Sequence, residues 1–408
     1  MKKTGILIMS ILVTICACQN NQQEEKGMTF GEELAFLENF VDCIVLSDSA
    51  SEAKLIIVPA WQGRVMTSSS GGDEGLSFGW INHELISSGE TQEHINVFGG
   101  EDRFWMGPEG GQFAIFFKNS APFDLENWYV PSVIDTEAYD VIEQQKDRVV
   151  FGKNFNLVNY SNTELLGEIR REVRLLSKSE MADHLGVIIP ENISSVGYTS
   201  VNTIVNGGEL AWTKETGKLS VWILGMFTPS PETTVVIPFI EGEEERLGPI
   251  VNDAYFGKVP EERIKIEDGI VFFKGDGQYR SKIGLSPLRS KPILGSYDAG
   301  NRILTIVTYT KPEGAVDYVN SMWEIQADPF AGDVVNSYND GPPEPGAAPL
   351  GPFYELETSS PAAALEPGES LVHENRTFHF QGTEESLEKI AQKCLGIGLE
   401  TIKSALKR

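Results

Sequence analysis

Glu355 and Glu357 stand two residues apart in "YELETS", a short run that reads as a strand. Side chains alternate along a strand, so both carboxylates leave one face, rooted roughly 6.5 Å apart. Like charges at that spacing repel, and one of the pair holds its proton more tightly unless a cation or a solvated face compensates. A carboxylate that keeps its charge beside a cation can accept hydrogen bonds or act as a general base. The expectation is that both glutamates share the concave face of a sheet with Arg103 and at least one of Arg280, Lys282 or His379.

A second group lies in "GGEDRFWMGPEGGQF", Gly99 to Phe113. Gly99, Gly100, Gly110 and Gly111 permit close backbone turns, and Asp102, Arg103, Trp105 and Glu109 are the side chains that a sugar site uses. A pyranose has an apolar C–H face for an indole and a rim of hydroxyls for guanidinium and carboxylate contacts. The same residues also read as a loop organised by a buried Arg103–Glu ion pair, with Trp105 in the core. In "GDGQYRSKIG", Arg280 and Lys282 share a face if extended. They would neutralise Glu355 or Glu357, bind an acidic sugar, or sit on a solvated hairpin.

His373 and His379 share a strand face only if that strand is unbroken. His83, His94 and His184 are scattered, and no pair has the H-E-x-x-H spacing of a zinc site. Asp328, Asp333, Asn336 and Asp340 could offer oxygens to Ca²⁺ but lack the spacing of an EF-hand loop. There is no G-x-S-x-G elbow, phosphate loop or dinucleotide fingerprint, so neither a metal nor a cofactor is expected.

The elements that must position these groups are mostly strands. "KLIIVPA", "GQFAIFF", "DRVVFG", "REVRLLS", "KLSVWILGMF", "TTVVIPFI", "GIVFFKG" and "RILTIVTYT" are rich in β-branched and aromatic residues, and Gly and Pro fall mostly between them. Strands at this spacing without long intervening helices predict a mainly β protein, a large antiparallel sandwich or barrel. "TFGEELAFLENF" predicts a short helix ahead of the strands, and apolar spacing from Leu387 to Ala405 predicts one amphipathic helix over 383–405. The acidic run "EGEEERLG" reads as a solvated loop and "NDGPPEPGAAPLGP" as a long loop crossing a rim. No fixed-period repeat is present, so 31–408 reads as a single domain.

The start of the chain carries a different message. "MKKTGILIMSILVTICACQNNQQEE" has a basic start, an apolar run and an abrupt polar switch, the pattern of an export signal over 1–17. "ICAC" resembles a bacterial lipobox, which implies that Cys18 is the lipid-modified residue and 18–30 a tether. The formal net charge is -26, and loss of Lys2 and Lys3 takes it to -28. Such a surface repels nucleic acid and anionic headgroups. Membrane contact is then expected only through the lipid, and a neutral ligand fits better than an anionic polymer. Cys43 and Cys394 would meet an oxidising compartment, either as a disulfide joining the two ends or as separate buried thiols.

The stretch from Tyr354 to Phe380 resembles the last part of the aldose 1-epimerases, the galactose mutarotase family. That family shows a strand of the form "CLETQ", a loop to "PGE" and a strand "T-x-Y-x-F". Here the matching residues are "ELETS" (Glu355 to Ser359), "PGE" (Pro367 to Glu369) and "TFHF" (Thr377 to Phe380). The resemblance implies that Glu357 is the general base toward an anomeric hydroxyl. His379 stands at an aromatic core position of the pattern, as a partly buried histidine or as an acid partner to Glu357. "NVFGGEDRFW" resembles "N-x-L-H-G-G" followed by Trp, with Phe98 at the His position. "VNTIVNGGELAW" resembles the strand that carries "NH-x-Y", with Gly207 after Asn206. The base is therefore retained and both family histidines are absent.

Over nearly the whole mature chain the sequence resembles a group of Bacteroidetes-type lipoproteins with a mutarotase-like fold and no assigned function. "DGQYRSKIG", "YVNSMWEIQADPFAGDVVNSYNDGPP" and "ELETSSPA" carry that resemblance. It implies a galactose mutarotase-like antiparallel β super-sandwich with a C-terminal helix. It also implies a membrane-anchored, carbohydrate-binding or carbohydrate-active protein of the cell envelope. The alternatives are an active sugar epimerase using Glu357 and a non-catalytic structural lipoprotein.

Overall fold

The computed structural model describes residues 27–344 and 346–407. The export segment and Cys18 lie outside the described residues. In chain order the strands are β1 (Ile44–Ser47), β2 (Lys54–Val58), β3 (Arg64–Ser69), β4 (Arg103–Gly107), β5 (Asp140–Gln144), β6 (Arg148–Val158), β7 (Glu164–Leu175), β8 (Ser194–Asn206) and β9 (Ser220–Phe227). There follow β10 (Thr233–Pro238), β11 (Ile264–Glu267), β12 (Ile270–Lys274), β13 (Ser281–Leu285), β14 (Ile293–Asp298), β15 (Ile303–Tyr309), β16 (Val335–Asn339), β17 (Tyr354–Ser359) and β18 (Ser370–Gln381).

They build three sheets in which every paired strand is antiparallel. The largest has ten strands, β11-β12-β10-β14-β15-β18-β8-β7-β6-β5; a second has five, β13-β16-β17-β9-β4; the third is β1-β2-β3. The mainly antiparallel β class read from strand spacing is the class observed.

The two larger sheets face each other. Ile283, Leu285, Val335, Leu356 and Phe227 of the five-stranded sheet pack on Val235, Ile237, Val271, Phe273, Leu294 and Val307 of the ten-stranded sheet. Toward the other end, Phe104, Val221 and Ile223 meet Phe151, Ile169, Val173 and Tyr198. Each such side chain taken fully from water contributes about 1.5–3 kcal/mol before the entropic cost of ordering it. The far side of the ten-stranded sheet, with Val236, Phe272, Leu304, Ile306, Phe378 and Phe380, is covered by Leu387, Ile390, Ala391, Leu395, Leu399 and Ile402.

Those covering residues come from two helices, Glu384–Leu395 and Leu399–Ser404, where the apolar spacing alone predicts one. Gly396 interrupts the run by taking the left-handed conformation, φ +75°, that closes the first helix, a conformation glycine adopts without a Cβ penalty. At the other end, Thr29 and Glu32 form a reciprocal capping box on the Phe30–Leu37 helix. Thr29 and Phe30, inside the segment that reads as tether, therefore belong to the fold. Cys43 and Cys394 are separate half-buried thiols, and burial raises both pKa values to about 11. No described helix is long and apolar enough to cross a membrane.

Candidate functional site

Register decides which side chains of the five-stranded sheet share a face. Residues directly opposite one another in antiparallel strands point to the same side, and so do residues two apart along a strand. Arg103 pairs with Leu224 and Trp105 with Trp222. Leu224 in turn faces Glu357, Met226 faces Glu355, and Trp222 faces Ser359. Glu357 is opposite Asn336 and Glu355 opposite Tyr338, and Tyr338 is opposite Lys282. One face therefore carries Arg103, Trp105, Trp222, Glu355, Glu357, Asn336, Tyr338 and Lys282. Its reverse carries Phe104, Ile223, Leu356 and Ile283, which sit in the core. The polar face points away from the ten-stranded sheet.

On that face the two glutamates have cationic partners, as their spacing requires. Lys282 Nζ lies 2.9 Å from Glu357 Oε2, and Arg103 Nη2 lies 3.2 Å from Glu355 Oε1. Glu357 Oε2 also accepts from Trp222 Nε1 at 2.9 Å. Lys282 stands 4.7 Å over the Trp222 ring and Arg103 4.4 Å over Trp105, so each cation is held by an indole face as well as by a carboxylate. Trp105 meets Trp222 edge-on. Glu357 is 0% exposed and Glu355 5%.

Burial changes the electrostatics expected from the sequence. Glu355 does not stay an ordinary carboxylate beside its cation: its pKa is raised to about 8, first by desolvation and then by the Glu357 charge, with Arg103 and Lys282 opposing. Desolvation also raises the carboxyl pKa of Glu109 and Asp333, against the pull of Lys282. A buried charge costs more than one partner returns, so each of these carboxyls holds its proton more tightly than it would in water. Several polar atoms here are enclosed and lack a hydrogen-bond partner: Arg103 Nε and Nη1, Trp105 Nε1, Ser220 Oγ and Glu357 Oε1. Buried polar groups are rarely left so.

Part of this face floors a cleft, with Glu357 lying behind Lys282 and Trp222 rather than in the lining itself. The lining includes Gly107, Glu109, Ser220, Trp222, Tyr255, Lys282, Ser321, Asp333, Asn336 and Ser359. The atom-free space is about 370 Å³ counted out to the open mouth, and the room for water centres about 20 Å³, enough for about one water. Glycines set two of its walls. Gly111 holds φ +83°, and a Cβ at Gly110 would come within 2.3 Å of Met322 O, so the turn carrying Glu109 packs tightly on the 320–326 segment. A Cβ at Gly284 would meet Asp333 Oδ2 at 2.2 Å. Asp333 Oδ2 accepts from Tyr255 Oη at 2.7 Å and from Asn252 Nδ2 at 2.9 Å.

Several candidates read from sequence lie elsewhere. Asp102 faces the interior between the sheets: Arg171 Nη2 is 2.7 Å from its Oδ1, and Ser200 and Asn375 donate to its Oδ2. Arg103 takes the cleft face, so its chain neighbour must take the other. His379 belongs to β18 of the ten-stranded sheet, where its Nε2 lies 3.1 Å from Glu101 Oε2 and its Nδ1 2.9 Å from Thr305 Oγ1. It is a satisfied buried histidine outside the Glu357 cluster. Arg280 precedes β13 and lies 4.2 Å over Phe256; Lys282, not Arg280, offsets Glu357. Of the oxygen series, Asp333 and Asn336 line the cleft, whereas Asp340 accepts from Tyr338 Oη and Gly351 N. Among the described residues no group of three His, Cys, Asp or Glu forms a metal set.

Trp222, Tyr255, Ser220, Ser321, Trp128 and Trp323 are site residues that spacing did not single out. Trp222 sits in an unbroken buried strand, where periodicity cannot tell the two faces apart. Tyr255 lies in a segment without strand or helix pattern and reaches the cleft only through the fold. A wider pocket, about 260 Å³, is lined by Asp48, Lys146, Asp147, Leu175 and Glu180, but it has no aromatic wall, and Glu180 already holds Ser177 and Arg174.

The chain belongs to the family described as "Family of unknown function (DUF6786)", whose model matches residues 28–406. Comparison with curated protein sequences returns no match. Among solved structures it is similar to the Slr1438 protein of Synechocystis, at 14% identity over 84% of this chain and 96% of that one, TM-score 0.48. It is also similar to a galactose mutarotase-like protein from Lactobacillus casei, at 10% identity over 83% and 99%, TM-score 0.43. A galactose mutarotase related enzyme from Lactobacillus acidophilus is similar at 9% identity over 84% and 98%, TM-score 0.44.

Proposed function

We propose that this protein is a carbohydrate-active or carbohydrate-binding lipoprotein of the cell envelope and that the cleft over the five-stranded sheet takes its sugar. The observation that carries this reading is the buried Lys282–Glu357–Trp222 arrangement under a cleft with unpartnered donors and acceptors around it. An indole face suits the C–H side of a pyranose, and a ring hydroxyl can both donate to Glu357 Oε1 and accept from an indole or guanidinium N–H. The resemblance of "ELETS", "PGE" and "TFHF" to aldose 1-epimerases points the same way. The closed part of the cleft is too small for a sugar ring, so binding requires movement of the loop that carries Tyr255. Export and acylation at Cys18 complete the proposal, with the acidic domain held at a membrane whose headgroups it does not bind.

The test is a glycan array on the full chain, followed by titration calorimetry. A sugar is expected to bind, and Glu357→Gln is expected to weaken it by about 1–3 kcal/mol, the usual effect of losing a charged hydrogen-bond partner. An array without hits, or hits that Glu357→Gln leaves unchanged, would remove this reading.

A further inference from the structure

Glu109 occupies a position that the family motifs do not assign. It follows β4, one edge strand of the five-stranded sheet, whereas Lys282 lies on β13, the opposite edge. Both line the same cleft, so they approach its contents from two sides, with Glu357 behind Lys282. The carboxyl is oriented: Trp323 Nε1 donates to its Oε1 at 3.0 Å, and its backbone N–H donates to Ser321 Oγ at 3.2 Å. Trp128, whose Nε1 is enclosed, stacks on Trp323 at 5.8 Å. The Glu109 carboxyl is thus held by Trp323, with the Trp128 indole also acting on it as a hydrogen-bonding neighbour, while the residue lines the cleft.

We propose that Glu109 is the proton donor of this cleft, acting on a sugar whose hydroxyl proton Glu357 accepts. The inference rests on the carbohydrate reading of the same site and fills the place left by the two absent histidines. The step balances without a co-reactant. Glu357 takes the proton of the anomeric hydroxyl, the C1–ring-oxygen bond breaks as C1=O forms, and Glu109 gives its proton to the ring oxygen. Rotation about C1–C2 and the reverse transfers close the ring and restore both carboxyls. Burial favours the protonated form of Glu109, which is the form a donor needs, while Lys282 opposes it. The charged and titratable groups around Glu109 are Lys282 of β13, Glu357 of β17 and Arg103 of β4. Asp333, held by Tyr255 and Asn252, is the competing carboxyl in the cleft.

The experiment is NMR exchange spectroscopy between anomers of D-glucose, D-galactose, D-mannose and L-arabinose with the full chain, alongside calorimetric binding. Wild type is expected to speed exchange of at least one of these. Glu109→Gln is expected to slow that exchange by about 100-fold or more, the usual contribution of a positioned acid, while the dissociation constant changes by less than about 3-fold. It is also expected to lose the alkaline fall of the pH profile. Glu109→Ala should regain exchange in proportion to added acetic acid, which a merely structural residue would not show. A sugar that binds but is not exchanged by wild type overturns this proposal and leaves the binding reading intact; no binding removes both. Exchange unaffected by Glu109→Gln, or abolished by Asp333→Asn instead, also overturns it.

Discussion

Lys282 illustrates how one side chain can be ambiguous in sequence and decisive in the fold. Two residues from Arg280 in a Gly-rich stretch, it reads equally as a solvated hairpin charge; in the structure it is 9% exposed and bound to a carboxylate with no exposure at all. Removing one partner of such a buried pair leaves the other charge uncompensated, at a cost of about 3–5 kcal/mol. Lys282→Met is therefore expected to lower urea-unfolding stability by that amount, and adding Glu357→Gln to recover part of the loss; additive effects in the double-mutant cycle would contradict the pairing. Glu355 gives a pH prediction. Its pKa rises from an ordinary 4.5 to about 8 on folding, so between those values the unfolded chain releases a proton that the folded one keeps. Stability then falls as pH rises through that window, since the unfolded state binds fewer protons. Glu355→Gln should flatten the decline in urea midpoint between about pH 5 and pH 8; an unchanged slope would show that other groups, such as Glu109 and Asp333, carry it.

At the scale of elements, strand spacing made the β architecture and the shared face of Glu355 and Glu357 readable. The side-chain period of two needs no tertiary information. Face assignment across strands is another matter, because Arg103, Trp222 and Lys282 come from segments more than fifty residues apart, and only register aligns them. Asp102 shows the same limit: in sequence it groups with Arg103 as a sugar contact, yet adjacent extended residues point oppositely, and Asp102 pairs with Arg171 instead. Of the two forms the sequence leaves open for His379, the structure takes the satisfied buried histidine and not the acid partner, since the motif resemblance spans two strands that lie in different sheets. The C-terminal helix was legible in its apolar stripe but not in its break at Gly396. Gly284 gives the element-scale prediction. Its missing Cβ leaves room for Asp333 and Asn336, and overpacking such a position costs about 1–3 kcal/mol. Gly284→Ala should therefore lower the urea midpoint and weaken whatever sugar the cleft holds; wild-type affinity would show that Asp333 takes no part in binding.

The whole molecule combines a sheet pair closed on one side by helices, a polar face turned away from that core, and an acidic composition. Under the proposed attachment through Cys18, such an exterior would stay near a membrane without binding anionic headgroups. Cys18→Ala should abolish incorporation of radiolabelled palmitate and release the protein from the membrane fraction, whereas undiminished labelling would place the anchor elsewhere. The central claim is that the cleft over the five-stranded sheet is the sugar site, and a crystal structure of the protein soaked with the sugar selected by the array tests it most directly. The account predicts a ring lying on Trp222, with Glu109 and Lys282 within about 2.6–3.2 Å of its oxygens. Sugar density in the pocket beside Lys146 and Asp147, over an unchanged and closed cleft, would contradict it.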